Sequence, residues 1–94
     1  MNCVLYMSNN TKISIFEQHN ICNEKAKRYG YSITQRIFDI RNDRFTEAIN
    51  KVIANQETEA LIIYDKWTVF DNYDDFLFYY VYLKKLGKKL ILAK

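Results

Sequence analysis

Strand-like and helix-like segments alternate three times along this chain, joined by connections of only a few residues. That alternation restricts the fold more than any other feature. Cys3–Met7 is a compact apolar run and reads as a buried strand. Ser14-Ile15-Phe16-Glu17 has the form of a capping box, in which the hydroxyl accepts from a backbone N–H and Glu17 reaches back. The helix it opens runs to about Tyr29, with Ile15, Cys22, Ala26 and Tyr29 at helical spacing. Lys27 and Arg28 suit its negative C-terminal end, and Gly30 suits the left-handed cap that follows.

Tyr31–Ile40, rich in Ile, Thr, Phe and Tyr, reads as a second strand. Asn42 or Asp43 can cap a second helix whose stripe is Phe45, Ala48, Ile49, Val52 and Ile53. Ala60–Tyr64 reads as a third strand. Asp71 or Asn72 opens a third helix with Asp74 and Asp75 in its first turn and Lys84 and Lys85 in its last, and Gly87 stops it. Lys89–Ala93 reads as a fourth strand. Strand–helix–strand units repeated in this way imply parallel strands joined by right-handed crossovers. The expected fold is therefore a single three-layer α/β domain over residues 1–94, with helices on both faces of a four-stranded, mainly parallel sheet. The apolar runs of strands one, three and four predict burial on both faces.

Composition narrows the function classes. Hydrophobic residues make up 49% and charged residues 27%, ordinary for a globular domain, and a net charge of +3 is too small to argue nucleic-acid binding by itself. The longest apolar runs fall far short of the roughly 20 residues a bilayer requires, and no basic stretch precedes an apolar run at the N-terminus. The expectation is a cytoplasmic protein. Cys3 and Cys22 lack metal-ligand spacing and read as buried thiols in a reducing compartment. The two glycines both serve as helix stops, so no glycine-rich phosphate loop exists and dinucleotide binding is disfavoured. His19 is the sole histidine and reads as an ordinary helix residue. Asp71, Asp74 and Asp75 read as compensation of a helix dipole rather than as a metal cluster. No cofactor and no metal are expected.

Tyr6 at the end of the first strand, Gln18 on the helix after it, Gly30-Tyr31 closing that helix, Asp39 ending the second strand, the helix from Phe45, and Tyr64 ending the third strand occur in an order that resembles the resolvase/invertase-type serine recombinase catalytic domain. The resemblance covers nearly all of the chain and implies the sheet order 2-1-3-4. In that family a serine attacks a DNA phosphodiester and forms a phosphoserine link while arginines bind the reacting phosphate, as nucleophilic attack with developing negative charge requires.

The residues that the resemblance places at those functions differ from the family's. Its first segment, Tyr-x-Arg-x-Ser, reads Tyr6-Met7-Ser8-Asn9-Asn10, so Ser8 stands at the arginine and Asn10 at the nucleophile. Its second signature, Tyr-x-x-Asp-Arg-x-x-Arg, falls on Tyr64 to Asp71, with Trp67 at the Asp, Thr68 at the first Arg and Asp71 at the second. The remaining family arginine aligns with Asn42, with Arg41 and Arg44 nearby, and Ser8 and Thr11 are the only neighbouring hydroxyls. Active members continue into a long helix and a DNA-reading domain. This chain ends after the fourth strand, as either a stand-alone remnant or part of something longer.

Two surfaces complete the reading. Lys84, Lys85, Lys88, Lys89 and Lys94 form a candidate basic patch around Gly87, able at most to give weak, non-specific and salt-dependent contact with DNA. The third helix is apolar almost all round, so one face of it needs a partner. A homodimer or protein partner is expected on a surface including Phe70, Tyr73, Phe78 and Tyr82. Trp67 is expected to plug the ancestral cleft, packing near Tyr6 or Phe70. Three functions stay open: an inactive recombinase-like domain serving as an interaction or regulatory module of a mobile element, the N-terminal part of an active DNA recombinase, and an α/β domain binding a small ligand at its strand ends.

Overall fold

The computed structural model describes residues 1–94, in the order β1 (Asn2–Ser8), α1 (Ile15–Arg28), β2 (Ser32–Asp39), α2 (Phe45–Ala54), β3 (Thr58–Ile63), a short 3-10 helix (Lys66–Thr68), α3 (Tyr73–Lys85) and β4 (Lys89–Leu92). All strands are parallel and the sheet order is β2-β1-β3-β4, as expected. Burial follows from position in that order. β1 and β3 are central and almost wholly buried, and their apolar residues divide between two cores. Val4, Tyr6, Leu61 and Ile63 point to the face covered by α2 and α3, and Cys3, Leu5, Ala60 and Ile62 to the face covered by α1. The period-two alternation of side chains produces this split from uninterrupted apolar runs.

β4 departs from the expected two-sided burial. It pairs only with β3, Lys89 is exposed and only Leu90 is fully buried, because an edge strand has a neighbour on one side alone. α1 carries Cys22 and Ala26 into the core, but Tyr29, placed on its stripe by spacing, is exposed. Burial pushes the Cys3 thiol up to about 11 and the Cys22 thiol to about 12, so both stay protonated and free.

The helix ends follow local chemistry, with two corrections. Ser14 accepts from the Glu17 N–H at 3.1 Å, but the Glu17 carboxylate meets the Ser14 hydroxyl instead of the backbone N–H. Gly30 and Gly87 both take positive φ, 75° and 76°, and each lets the next residue's N–H return to the carbonyl five positions back, Tyr31 to Ala26 and Lys88 to Leu83. Asn72 caps α3 by accepting from the Asp75 N–H. Neither Asn42 nor Asp43 caps α2. The Asp39 carboxylate accepts from the N–H groups of Asp43 and Arg44 at 3.1 and 2.7 Å. Asn42 turns the chain at φ 57° and braces Asn9 through both its amide atoms.

Candidate functional site

In a parallel sheet of this order the connections leave β1 and β3 toward opposite sides, and the strand ends open a crevice between them. Asn10, Thr11, Lys12, Ile13, Tyr64, Asp65, Trp67, Thr68 and Lys94 line a cleft of about 410 Å³ there. Two features of the chain build its walls. The loop after β1 is fixed by Gln18, whose fully buried side-chain amide accepts from the Ser8 N–H at 3.2 Å and donates to the carbonyls of Ser8 and Ile13. The turn after β3 is fixed by Asp65, whose carboxylate accepts from the N–H groups of Trp67 and Thr68 at 2.8 and 2.9 Å.

On the α2 and α3 side of the same strand ends lies a buried polar pair. β1 and β2 run in a register that sets Tyr6 beside Ile37 and Ser8 beside Asp39, so Tyr6 and Asp39 point to the same face one step apart. The Tyr6 hydroxyl donates to the Asp39 carboxylate at 2.5 Å. Burial by itself pushes that carboxyl up. The Tyr6 hydroxyl and the N–H groups of Arg44, Asp43 and Asn42 outweigh burial and hold it below the ordinary carboxylate range. Burial first, and the neighbouring carboxylate second, drive the Tyr6 hydroxyl far above its usual value, so it remains a donor.

The five positions indicated by the resemblance are only partly brought together. Asn10 and Thr68 share the cleft. The Asn10 side chain accepts from the Lys12 N–H, and the Thr68 hydroxyl donates to the Asp65 carbonyl, so both are engaged in holding their own loops. Ser8 lies below the surface with its hydroxyl donating to the Thr68 carbonyl at 2.5 Å, tying the two walls together. Asn42 faces Asn9 on the far side, and Asp71 is exposed and does not line the cleft. No arginine lines the cleft: Arg44 pairs with Glu47, and Arg36 donates to His19 and Asn23 at the outer edge of β2. The cations that do reach it, Lys12 and Lys94, carry no signal in the sequence, since only the fold sets the two loops side by side.

Several expected placements change. Trp67 does not fill the cleft: it stands at the rim with 54% of its surface exposed and the Lys66 ammonium 5.5 Å from its ring. The 3-10 turn set by Asp65 holds the ring at that rim. Phe70, expected at an interface, is a core residue packed edge-on to Phe45 and stacked on Tyr79. Tyr73, Phe78 and Tyr82 are exposed along α3. The basic patch divides. Lys84, Lys85 and Lys89 are exposed near Gly87, where a groove of about 570 Å³ follows the unpaired edge of β4. Lys88 is not free for a ligand, because its ammonium donates to the carbonyls of Asn55, Gln56 and Thr58. Lys94 lies at the opposite end of β4, over the Tyr64 ring. No three acidic, cysteine or histidine side chains gather as a metal site, and no helix is long and apolar enough to cross a membrane.

The sequence matches no protein-family model and no curated protein. Solved structures do resemble the fold. The N-terminal catalytic domain of TP901-1 integrase superposes with a TM-score of 0.78 at 15% identity, covering 99% of this chain and 77% of that one. The C-terminal catalytic domain of ISC1926 TnpA, an IS607-like serine recombinase, gives 0.72 at 13% identity over 100% of this chain and 70% of that one. The corresponding domain of IS1535 TnpA gives 0.69 at 9% identity, over 98% and 70%. In sheet order and parallel crossovers, the fold of this chain is similar to that of these recombinase catalytic domains.

Proposed function

We propose that this domain keeps the recombinase scaffold without its phosphoryl-transfer chemistry, and acts by contact with another protein. One observation carries the proposal: the only aliphatic hydroxyl on β1, that of Ser8, is buried and donates to the Thr68 carbonyl, while Asn10 occupies the accessible position after it. Attack on a phosphodiester needs an exposed, activated oxygen and fixed cations around the developing charge. An amide cannot form the covalent link. A cleft holding two flexible lysines and Asp65 lacks the bidentate guanidinium clamp. Without that chemistry, the exposed apolar length of α3 is the surface best suited to a role, since patches of this kind mark contacts with other molecules.

The test is incubation with supercoiled and nicked DNA carrying a 5′ or 3′ label, followed by denaturing separation of protein–DNA adducts. The expected result is neither cleavage nor adduct. An adduct formed by the wild type and lost in Ser8→Ala, Thr11→Ala or Thr68→Ala would overturn the proposal, since those are the aliphatic hydroxyls at or next to the cleft.

A further inference from the structure

α3 presents Phe76, Tyr79 and Leu83 toward the sheet, leaving Asp74, Phe78, Val81 and Lys85 on the opposite side at intervals of four, three and four. Those intervals are the spacing of a helix–helix seam. Leu77 and Tyr82 flank the stripe, and the six residues together bound a shallow groove of about 370 Å³ along the helix. Phe78 is 62% exposed and stacks on Tyr82 at a ring separation of 6.0 Å. The groove is apolar along its middle, acidic at one end and basic at the other.

We infer that this groove receives the same helix of a second copy of the chain, running antiparallel. The proposal rests on the reading of α3 as a contact surface and names its partner. The sequence is self-complementary about the middle of the helix. A two-fold axis between Phe78 and Val81 sets each Phe78 against the partner copy's equivalent of Val81, with Leu77 and Tyr82 closing the two flanks of the seam. The same axis sets Asp74 against the other helix's residue 85, a lysine. An isologous contact requires this kind of self-match. Parallel pairing would instead oppose acid to acid and base to base. Neither Asp74 nor Lys85 has an ionic partner within the chain, where Arg44–Glu47 is the single salt bridge. The apolar middle supplies the affinity, and the charged ends select orientation and register. A contact of one helix face per subunit lies at the small end of stable interfaces, so the dimer forms at micromolar or higher concentration.

Sedimentation equilibrium of the full chain over a wide concentration range tests this with Asp74→Lys and Lys85→Glu, checked for unchanged circular dichroism. The wild type dimerises. Each charge reversal opposes like charges twice across the axis and weakens the dimer by about tenfold or more. An equimolar mixture of the two variants restores pairing. In the mixed dimer the introduced lysine of one copy meets the introduced glutamate of the other, and the unaltered Lys85 of the first meets the unaltered Asp74 of the second. A wild type that stays monomeric at the highest concentration overturns the proposal. So does a dimer indifferent to both reversals, which would place the contact on another face. Either result leaves the non-catalytic reading to the DNA assay, and a covalent DNA adduct would overturn that reading while leaving the pairing to sedimentation.

Discussion

The Tyr6 hydroxyl and the Asp39 carboxylate meet at 2.5 Å across the two strands β1 and β2, and the same carboxylate holds the start of α2 through the N–H groups of Asp43 and Arg44. One buried acid thus joins the sheet to the loop that borders the strand ends. No buried side-chain polar atom in the protein lacks a partner, so this junction has no slack into which a lost donor could be absorbed.

Stability should therefore fall in acid through Asp39. Its carboxyl is held below the ordinary range in the folded state, so its contribution is complete above the unfolded value of about 4 and disappears as pH falls through the folded value. Tyr6→Phe removes one of the donors that lower it. The variant is expected to lose about 1–3 kcal/mol at neutral pH and to show a shallower decline between neutral and acidic pH. Urea unfolding of both proteins across that range is the check, and parallel curves would show that Asp39 is not the group responsible.

Gln18 is expected to be the most sensitive polar position on α1. Its amide is the partner of the Ser8 N–H and of two carbonyls in the loop wall of the cleft. Gln18→Leu keeps the volume roughly but strands these groups in a buried setting, at a cost of about 1–3 kcal/mol. A shift in the denaturant midpoint without a change in slope is the expected signature. An unchanged midpoint would mean that water substitutes for the amide.

Trp67 should behave as a surface residue. As the only tryptophan it reports cleanly, and its emission is expected at the wavelength of a solvated indole and to be quenched by iodide. Trp67→Ala should change stability by no more than about 0.5 kcal/mol, the usual scale for a surface position. A loss near the several kcal/mol of a buried aromatic would restore the plugged-cleft expectation.

The lysines near Gly87 should separate into two classes. Lys88→Met removes an ammonium that joins three backbone carbonyls between α2 and β3, and is expected to cost about 1 kcal/mol after allowance for its partial exposure. Lys84→Met, Lys85→Met and Lys89→Met should each leave stability within about 0.5 kcal/mol. Thermal melts of the four variants at low and moderate salt distinguish them.

The elements and their order were legible along the chain. Apolar runs too short for helices, capping residues such as Ser14 and Asn72, and glycines at Gly30 and Gly87 act within a few positions along the chain, so they are legible without a fold. Short connections then left only parallel crossovers, and the spacing from Tyr6 through Gln18 to Tyr64 carried the resemblance that the superposed structures bear out in fold. Pairings between distant segments were not legible there and came from the fold. The Tyr6 hydroxyl meets Asp39, thirty-three residues on, because the register of β1 and β2 sets them on the same face. Phe70 turns inward and Trp67 outward, although both are large aromatics three residues apart, because Asp65 fixes the turn between them and the sheet. Lys88 and Lys89 are neighbours with different fates for the same reason: one reaches carbonyls that the chain passed some thirty residues earlier, and the other faces water. Local propensity acts through a residue's own backbone, whereas burial and charge depend on what the fold brings beside it.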